Sequence, residues 1–151
     1  MKHRLHTEIN IDATPQAVWR ILTDLDRYAE WNPFVVSSSG TVAPGARLTN
    51  RLQPAGGKSR TFKPNVTIVE PPRTFEWFGH LGFPGIFDGR HRFELTETPT
   101  GTHFIQQEDF SGLLVRFFRR SLDDDTVAGF NAMNKALKAR AETLANDPAS
   151  Q

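Results

Sequence analysis

A chain of 151 residues, 38% hydrophobic and 23% charged, is sized and composed for one ordinary globular domain with its own core. Its formal net charge of +1 offers no electrostatic footprint for nucleic acid, and the absence of cysteine excludes disulfides, thiolate chemistry and cysteine-based metal sites. No apolar run approaches the roughly 18 residues that a membrane span needs. The N-terminus Met1-Lys2-His3-Arg4 leads into alternation rather than an apolar leader. A cytoplasmic protein without stable membrane insertion is therefore expected, folded over residues 1–147 with a disordered tail at 148–151.

Leu5, Thr7, Ile9 and Ile11 alternate with Arg4, His6, Glu8 and Asn10, the period of a strand with one wet face. Thr14 then suits an N-cap and Pro15 a first helical position, with Val18, Trp19, Ile21 and Leu22 as the buried stripe of a short helix. A second short helix is expected over Asp24 to Trp31, ending before Asn32-Pro33 because proline disfavours helix in the residue before it. Strand runs follow at Val35–Val42, Arg47–Gln53, Thr61–Val69 and Thr74–His80. Pro64 lies inside the third of these and predicts an edge or a bulge there.

Two further runs, Phe87–Leu95 and Phe104–Phe110, flank the turn-like Thr98-Pro99-Thr100-Gly101. Aligned about that turn, Leu95 faces Phe104, Phe93 faces Gln106 and His91 faces Glu108. Because strand side chains alternate with period 2, all six share one face. That face is apolar near the turn and ionisable away from it, which suggests a lined pocket rather than a plain core. After Gly112 the period changes: Val127, Phe130, Asn134, Leu137, Ala141 and Leu144 recur every three or four residues, predicting a long amphipathic helix weakened at Gly129. Strands joined by hairpins plus one long helix indicate an α+β domain. Its simplest packing is a curved seven-stranded antiparallel sheet wrapped around the C-terminal helix, with the two short helices after the first strand closing one end.

Several segments carry a family resemblance: Ile11 to Trp19, Leu25 to Phe34, Phe75-Glu76-Trp77, Gly89 to Leu95, Gly101 to Phe104, Gln107 to Leu114 and the terminal helix. Together they resemble the START-like, Bet v 1-like (SRPBCC) superfamily and in particular its polyketide cyclase/dehydrase-type branch, over about residues 3 to 145. The resemblance implies the helix-grip fold and a cavity between sheet and long helix that takes apolar or amphipathic small molecules. It names no reaction, because one fold hosts many functions; the superfamily includes lipid carriers, hormone and quinone binders and some enzymes.

His91 and Glu108 are the catalytic candidates. The pair reads first as a structural tie between strands, then as a ligand contact, then as a proton-transfer pair. Ligand-binding candidates are Trp31, Phe75, Trp77, Phe87, His91, Phe93, Leu95, Phe104, Gln106, Glu108, Phe130, Asn134 and Leu137, the aromatics and aliphatics as walls and the polar groups as orienting contacts. Trp31 to Phe34 read either as core or as a lip over the entrance, and Asn134 either as a pocket group or as a solvated helix edge. Gly82 to Phe87 and Leu113 to Arg120 are both apolar. They read as a buried helix start with a basic exterior, or else as a hydrophobic portal touching membranes through Arg116, Arg119 and Arg120.

Other chemistry is set aside. Gly56-Gly57-Lys58-Ser59 ends like a phosphate loop but lacks the upstream glycine and the strand-to-helix context. The five histidines lack zinc-ligand spacing, so no metal is expected, and no cofactor either. No serine sits in a nucleophile elbow. The expected function is binding or carriage of a small hydrophobic or amphipathic molecule by a monomer or homodimer. The alternatives are an aromatase/cyclase-like enzyme using His91 and Glu108 on a carbonyl substrate, and a protein-interaction module with a filled core and an exposed apolar patch.

Overall fold

A computed structural model describes residues 2–147; the tail expected at 148–151 lies outside the described residues. The first alternating run forms β1 (Lys2–Ile11) and leads into α1 (Pro15–Thr23). Thr14 caps that helix, its Oγ1 accepting from the Ala17 N–H at 3.2 Å. The second short helix is a 3-10 turn, Leu25–Glu30. It is anchored by Tyr28, whose buried hydroxyl donates to the Leu22 carbonyl.

Among the described residues there are eight strands rather than seven. After β1 come β2 (Val35–Ser39), β3 (Thr49–Leu52), β4 (Arg60–Phe62), β5 (Asn65–Glu70), β6 (Thr74–His80), β7 (Asp88–Thr98) and β8 (Gly101–Ser111). The extra strand arises at Pro64. Proline has no N–H to give to a ladder, so the run expected over 61–69 breaks there. Its first part joins the sheet β2-β3-β4, and its second the sheet β1-β8-β7-β6-β5, all antiparallel. The two sheets meet at a corner where residues 45–48 run against the start of β5. The Leu48 N–H donates to the Pro64 carbonyl, and Val66 exchanges bonds with Gly45 and Ala46, each at 2.8 Å. The expected edge is present, since β5 is an outer strand of its sheet, and a register shift occurs further along it, between Val66 and Ile68.

The β7–β8 hairpin pairs as its alternation requires: His91 with Glu108, Phe93 with Gln106, Leu95 with Phe104. Its inner face packs against α3 (Val127–Ala145), which buries Phe130, Met133, Asn134, Leu137 and Ala141. Asn134 is thus a core residue and not a solvated edge. The helical region begins earlier than its apolar period suggests. Residues Val115–Ser121 form α2, and a π turn, Leu122–Thr126, joins α2 to α3 without a break. A π turn holds an extra residue and rotates the apolar stripe out of phase, and within residues 115–126 only Val115 and Leu122 are buried.

Gly129 weakens helix propensity, but a side chain there has no room. A Cβ would lie 2.4 Å from Cδ1 of the buried Phe34, whose ring meets Phe130 edge-on at 5.4 Å. The glycine lets the segment after the 3-10 helix pack directly on α3.

Candidate functional site

A cavity of about 430 Å³ lies between the sheets and the start of the helical region. Its floor is built by period-2 alternation. Trp77 on β6, Gly89 and His91 on β7, and Glu108 and Phe110 on β8 all point inward from neighbouring strands. Leu52 of β3 and Phe62 of β4 form a side wall with Phe34 and Val35. Leu114, Phe118, Leu122 and the π-turn residues Asp125 and Thr126 close the helical side. Lys58, Arg60, Leu81, Leu114, Phe118 and Asp125 are exposed and mark the mouth, while Trp77, His91 and Phe110 are buried at the floor.

His91 is the polar centre of that floor, 3% exposed. Its ring stacks on Trp77 at 5.0 Å with planes 23° apart, and Phe130 meets it edge-on at 5.0 Å. Nδ1 lies 3.3 Å from Glu108 Oε2, and Nε2 lies 3.0 Å from Gln106 Oε1. Gln106 Nε2 donates to Asn134 Oδ1 at 2.6 Å and, more weakly, to the Phe130 carbonyl at 3.4 Å. Asn134 Nδ2 donates to Thr7 Oγ1, and Thr7 donates onward to the Gln106 carbonyl, each at 2.9 Å.

Two backbone carbonyls, which can only accept, set the direction of this chain of bonds. They orient both amides, so Gln106 presents an acceptor and His91 Nε2 must carry a hydrogen. That leaves Nδ1 as the ring nitrogen facing Glu108 Oε2 beside the cavity. Chemically the site can bury an apolar body and exchange a proton at one polar point. Gly89 makes room for the carboxylate, since a Cβ there would lie 2.7 Å from Glu108 Oε1.

Of the residues singled out in the sequence, Trp77, Phe87, His91 and Glu108 line the cavity. Phe75, Phe93, Leu95, Phe104, Phe130 and Leu137 are buried beyond its floor, packed on one another. Phe75, Phe93 and Phe104 fill the turn end with ring contacts, Phe75–Phe93 at 6.0 Å and Phe93–Phe104 at 5.9 Å, while Phe130 packs on His91 and Phe34. Gln106 and Asn134 do not line the cavity; they orient His91 from behind. Trp31 stands apart, partly buried and edge-on to Tyr28 at 5.3 Å, and Phe34 lines the cavity as a buried wall instead of a lip.

Sequence reasoning missed Leu52, Phe62, Phe110, Leu122 and Asp125. Phe110 was within reach, because it shares the parity of Gln106 and Glu108. The π turn hid Leu122 and Asp125. The run Leu113–Arg120 also differs from its first reading as a buried helix start. Leu113 is 76% and Phe117 65% exposed, and of this run only Val115 is buried.

Among the described residues no group of three or more His, Asp or Glu side chains could hold a metal ion.

The fold and this site now bear comparison with known proteins. No curated protein sequence matches the chain. A protein from Mesorhizobium loti, MLL2253, has 24% identity and a TM-score of 0.71, covering 96% of this chain and 99% of its own. The Zhui aromatase/cyclase from Streptomyces sp. R1128 has 14% identity and a TM-score of 0.80, covering 99% of this chain and 98% of its own. Ara h 8.0201 has 15% identity and a TM-score of 0.67, covering 95% of this chain and 99% of its own. At these identities the likeness is one of fold, the helix-grip fold that the resemblance implied. The profile of the family described as "Polyketide cyclase / dehydrase and lipid transport" matches residues 2–145, nearly the whole chain, and the protein belongs to that family.

Proposed function

We propose that this protein binds and carries a small hydrophobic or amphipathic molecule in the cavity beneath α2. The observation that carries the reading is a cavity of about 430 Å³ with mainly apolar walls and one deep polar point at His91 and Glu108. Pockets for drug-sized ligands run from about 300 to 1,000 Å³ and share that make-up. Affinity would come from apolar burial at about 25 cal/mol per Å², with the His91–Glu108 pair selecting a ligand that places one hydrogen-bonding group at the floor. Native mass spectrometry of protein purified from its own host tests this directly through a retained apolar ligand. In parallel, Leu122→Trp fills the cavity and is expected to abolish Nile red uptake. Uptake unchanged by Leu122→Trp would overturn the reading.

A second reading, catalysis on a carbonyl substrate, draws support from the bonds that hold a hydrogen on His91 Nε2. A preset tautomer leaves Nδ1 and Glu108 to move one proton beside a bound carbonyl. His91→Ala distinguishes the two, since a carrier keeps most of its ligand uptake while an enzyme loses product formation. The interaction-module alternative called for a filled core, and the open cavity weighs against it.

A further inference from the structure

The mouth of the cavity carries an apolar surface that the carrier reading does not use. Phe83 is 76%, Leu113 76% and Phe117 65% exposed, and none of the three lines the cavity. They come from two segments held together by backbone bonds. Leu113 N–H donates to the Gly85 carbonyl at 3.1 Å, and Leu114 N–H to the Ile86 carbonyl at 3.0 Å. The loop closes on itself through Leu81 N–H and the Phe87 carbonyl at 2.9 Å. Asp88 braces it from below by accepting from the Gly85 N–H. The projecting rings therefore stand on a braced platform.

The two projecting segments carry charge of one sign. Residues 81–87 carry no charge, and residues 113–121 carry Arg116, Arg119 and Arg120 with no carboxylate. Lys58 and Arg60 extend the cations around the opposite side of the mouth. Arg116 lies over the Phe117 ring at 4.7 Å, so charge and apolar surface sit together. The nearby carboxylates Asp123 and Asp124 face His3 and Arg120, and Asp125 turns to Ser121 and the cavity.

We infer that this rim docks the protein peripherally on a bilayer containing anionic phospholipid, with the cavity mouth against the lipid. Exposed Phe and Leu tips enter the interface while arginines meet the headgroup phosphates, as in other interfacial anchors. A projecting apolar rim with more cations than carboxylates around it suits a fluid anionic surface better than the shaped pocket of a protein partner. Among the described residues no helix is long and apolar enough to cross a membrane, so the contact is superficial. Delivery of cargo at that surface rests on the carrier reading; docking itself does not.

Co-sedimentation with vesicles tests the docking. The full-length protein is expected to bind vesicles of phosphatidylcholine mixed with phosphatidylserine, and to bind pure phosphatidylcholine far less. Each arginine contributes roughly fivefold to partitioning, so Arg116→Ala with Arg119→Ala should lower it on the order of twentyfold. Added salt should act in the same direction. Phe83→Ser with Phe117→Ser should abolish binding while far-ultraviolet circular dichroism and Nile red uptake stay as in the parent. Failure to bind the anionic vesicles, or binding unchanged in both double variants, would overturn the inference. So would a concentration-dependent dimer that Phe117→Ser dissolves, which would assign the surface to a second copy of the chain. Failure of the parent protein to dock with its Nile red uptake intact sinks this inference alone; absence of uptake in the parent with docking intact sinks only the carrier reading.

Discussion

His91 Nε2 donates to Gln106 Oε1 at 3.0 Å, and that bond ties the cavity floor to the body of the protein. Behind it, Gln106 reaches Asn134 on the long helix, and Asn134 reaches Thr7 on the first strand. One histidine is thereby positioned by three elements distant in the chain.

Gln106→Leu tests that arrangement. It leaves the His91 Nε2–H and Asn134 Oδ1 buried without partners, each costing about 1–3 kcal/mol. A loss of about 3 kcal/mol in urea unfolding is expected. Nitrogen NMR of the parent should show His91 protonated at Nε2, and loss of that tautomer preference in Gln106→Leu would mark the bond as the cause.

A separate network on the opposite face of the sheet predicts the acid response. Burial by itself would raise the Glu76 carboxyl, but the bonds from Arg90, Thr67 and Arg92 outweigh it and hold the group below its ordinary value of 4.5. The two arginine contacts are each 2.7 Å. A carboxyl whose folded pKa is depressed stabilises fully above its unfolded pKa, and the gain is lost as pH falls through the folded one. Glu76→Gln should therefore cost about 2 kcal/mol at neutral pH, and the gap to the parent should close as the pH drops below 4.5. A gap that stays constant into acid would show that the charge on Glu76 is not what stabilises the parent.

Gly129→Ala sets two magnitudes against each other. Alanine improves helix propensity by about 1 kcal/mol, yet its Cβ would meet Phe34 Cδ1 at 2.4 Å. Overpacking of a closed core costs about 1–3 kcal/mol. Net destabilisation of about 1 kcal/mol is expected by thermal or urea unfolding, with Nile red uptake altered because Phe34 lines the cavity. A more stable variant would mean that the Phe34 ring yields easily.

The hairpin register was legible because its turn and its period-2 pattern agree, and together they set His91 against Glu108. Thr14 and Pro15 announced the first helix by chemistry acting within a few residues. Pro64 announced an irregularity, but its outcome, two strands in two sheets, depended on partners as distant as Leu48 and Phe78. The start of the long helix was hidden because the π turn shifts the stripe on which a sequence reading relies.

Local patterns by themselves thus determined the fold class, the strand faces and the polar pair, since alternation, capping and turn chemistry act over short stretches of chain. Only the tertiary structure decided where the cavity lies. Phe75 of β6 with Phe93 and Phe104 of the hairpin share the sheet's inner face with His91, yet they close on one another at the turn end. At the other end Gly89, Glu108 and the π turn leave space unfilled. Empty volume is a property of how side chains from separate elements meet, and no stretch of sequence holds that sum.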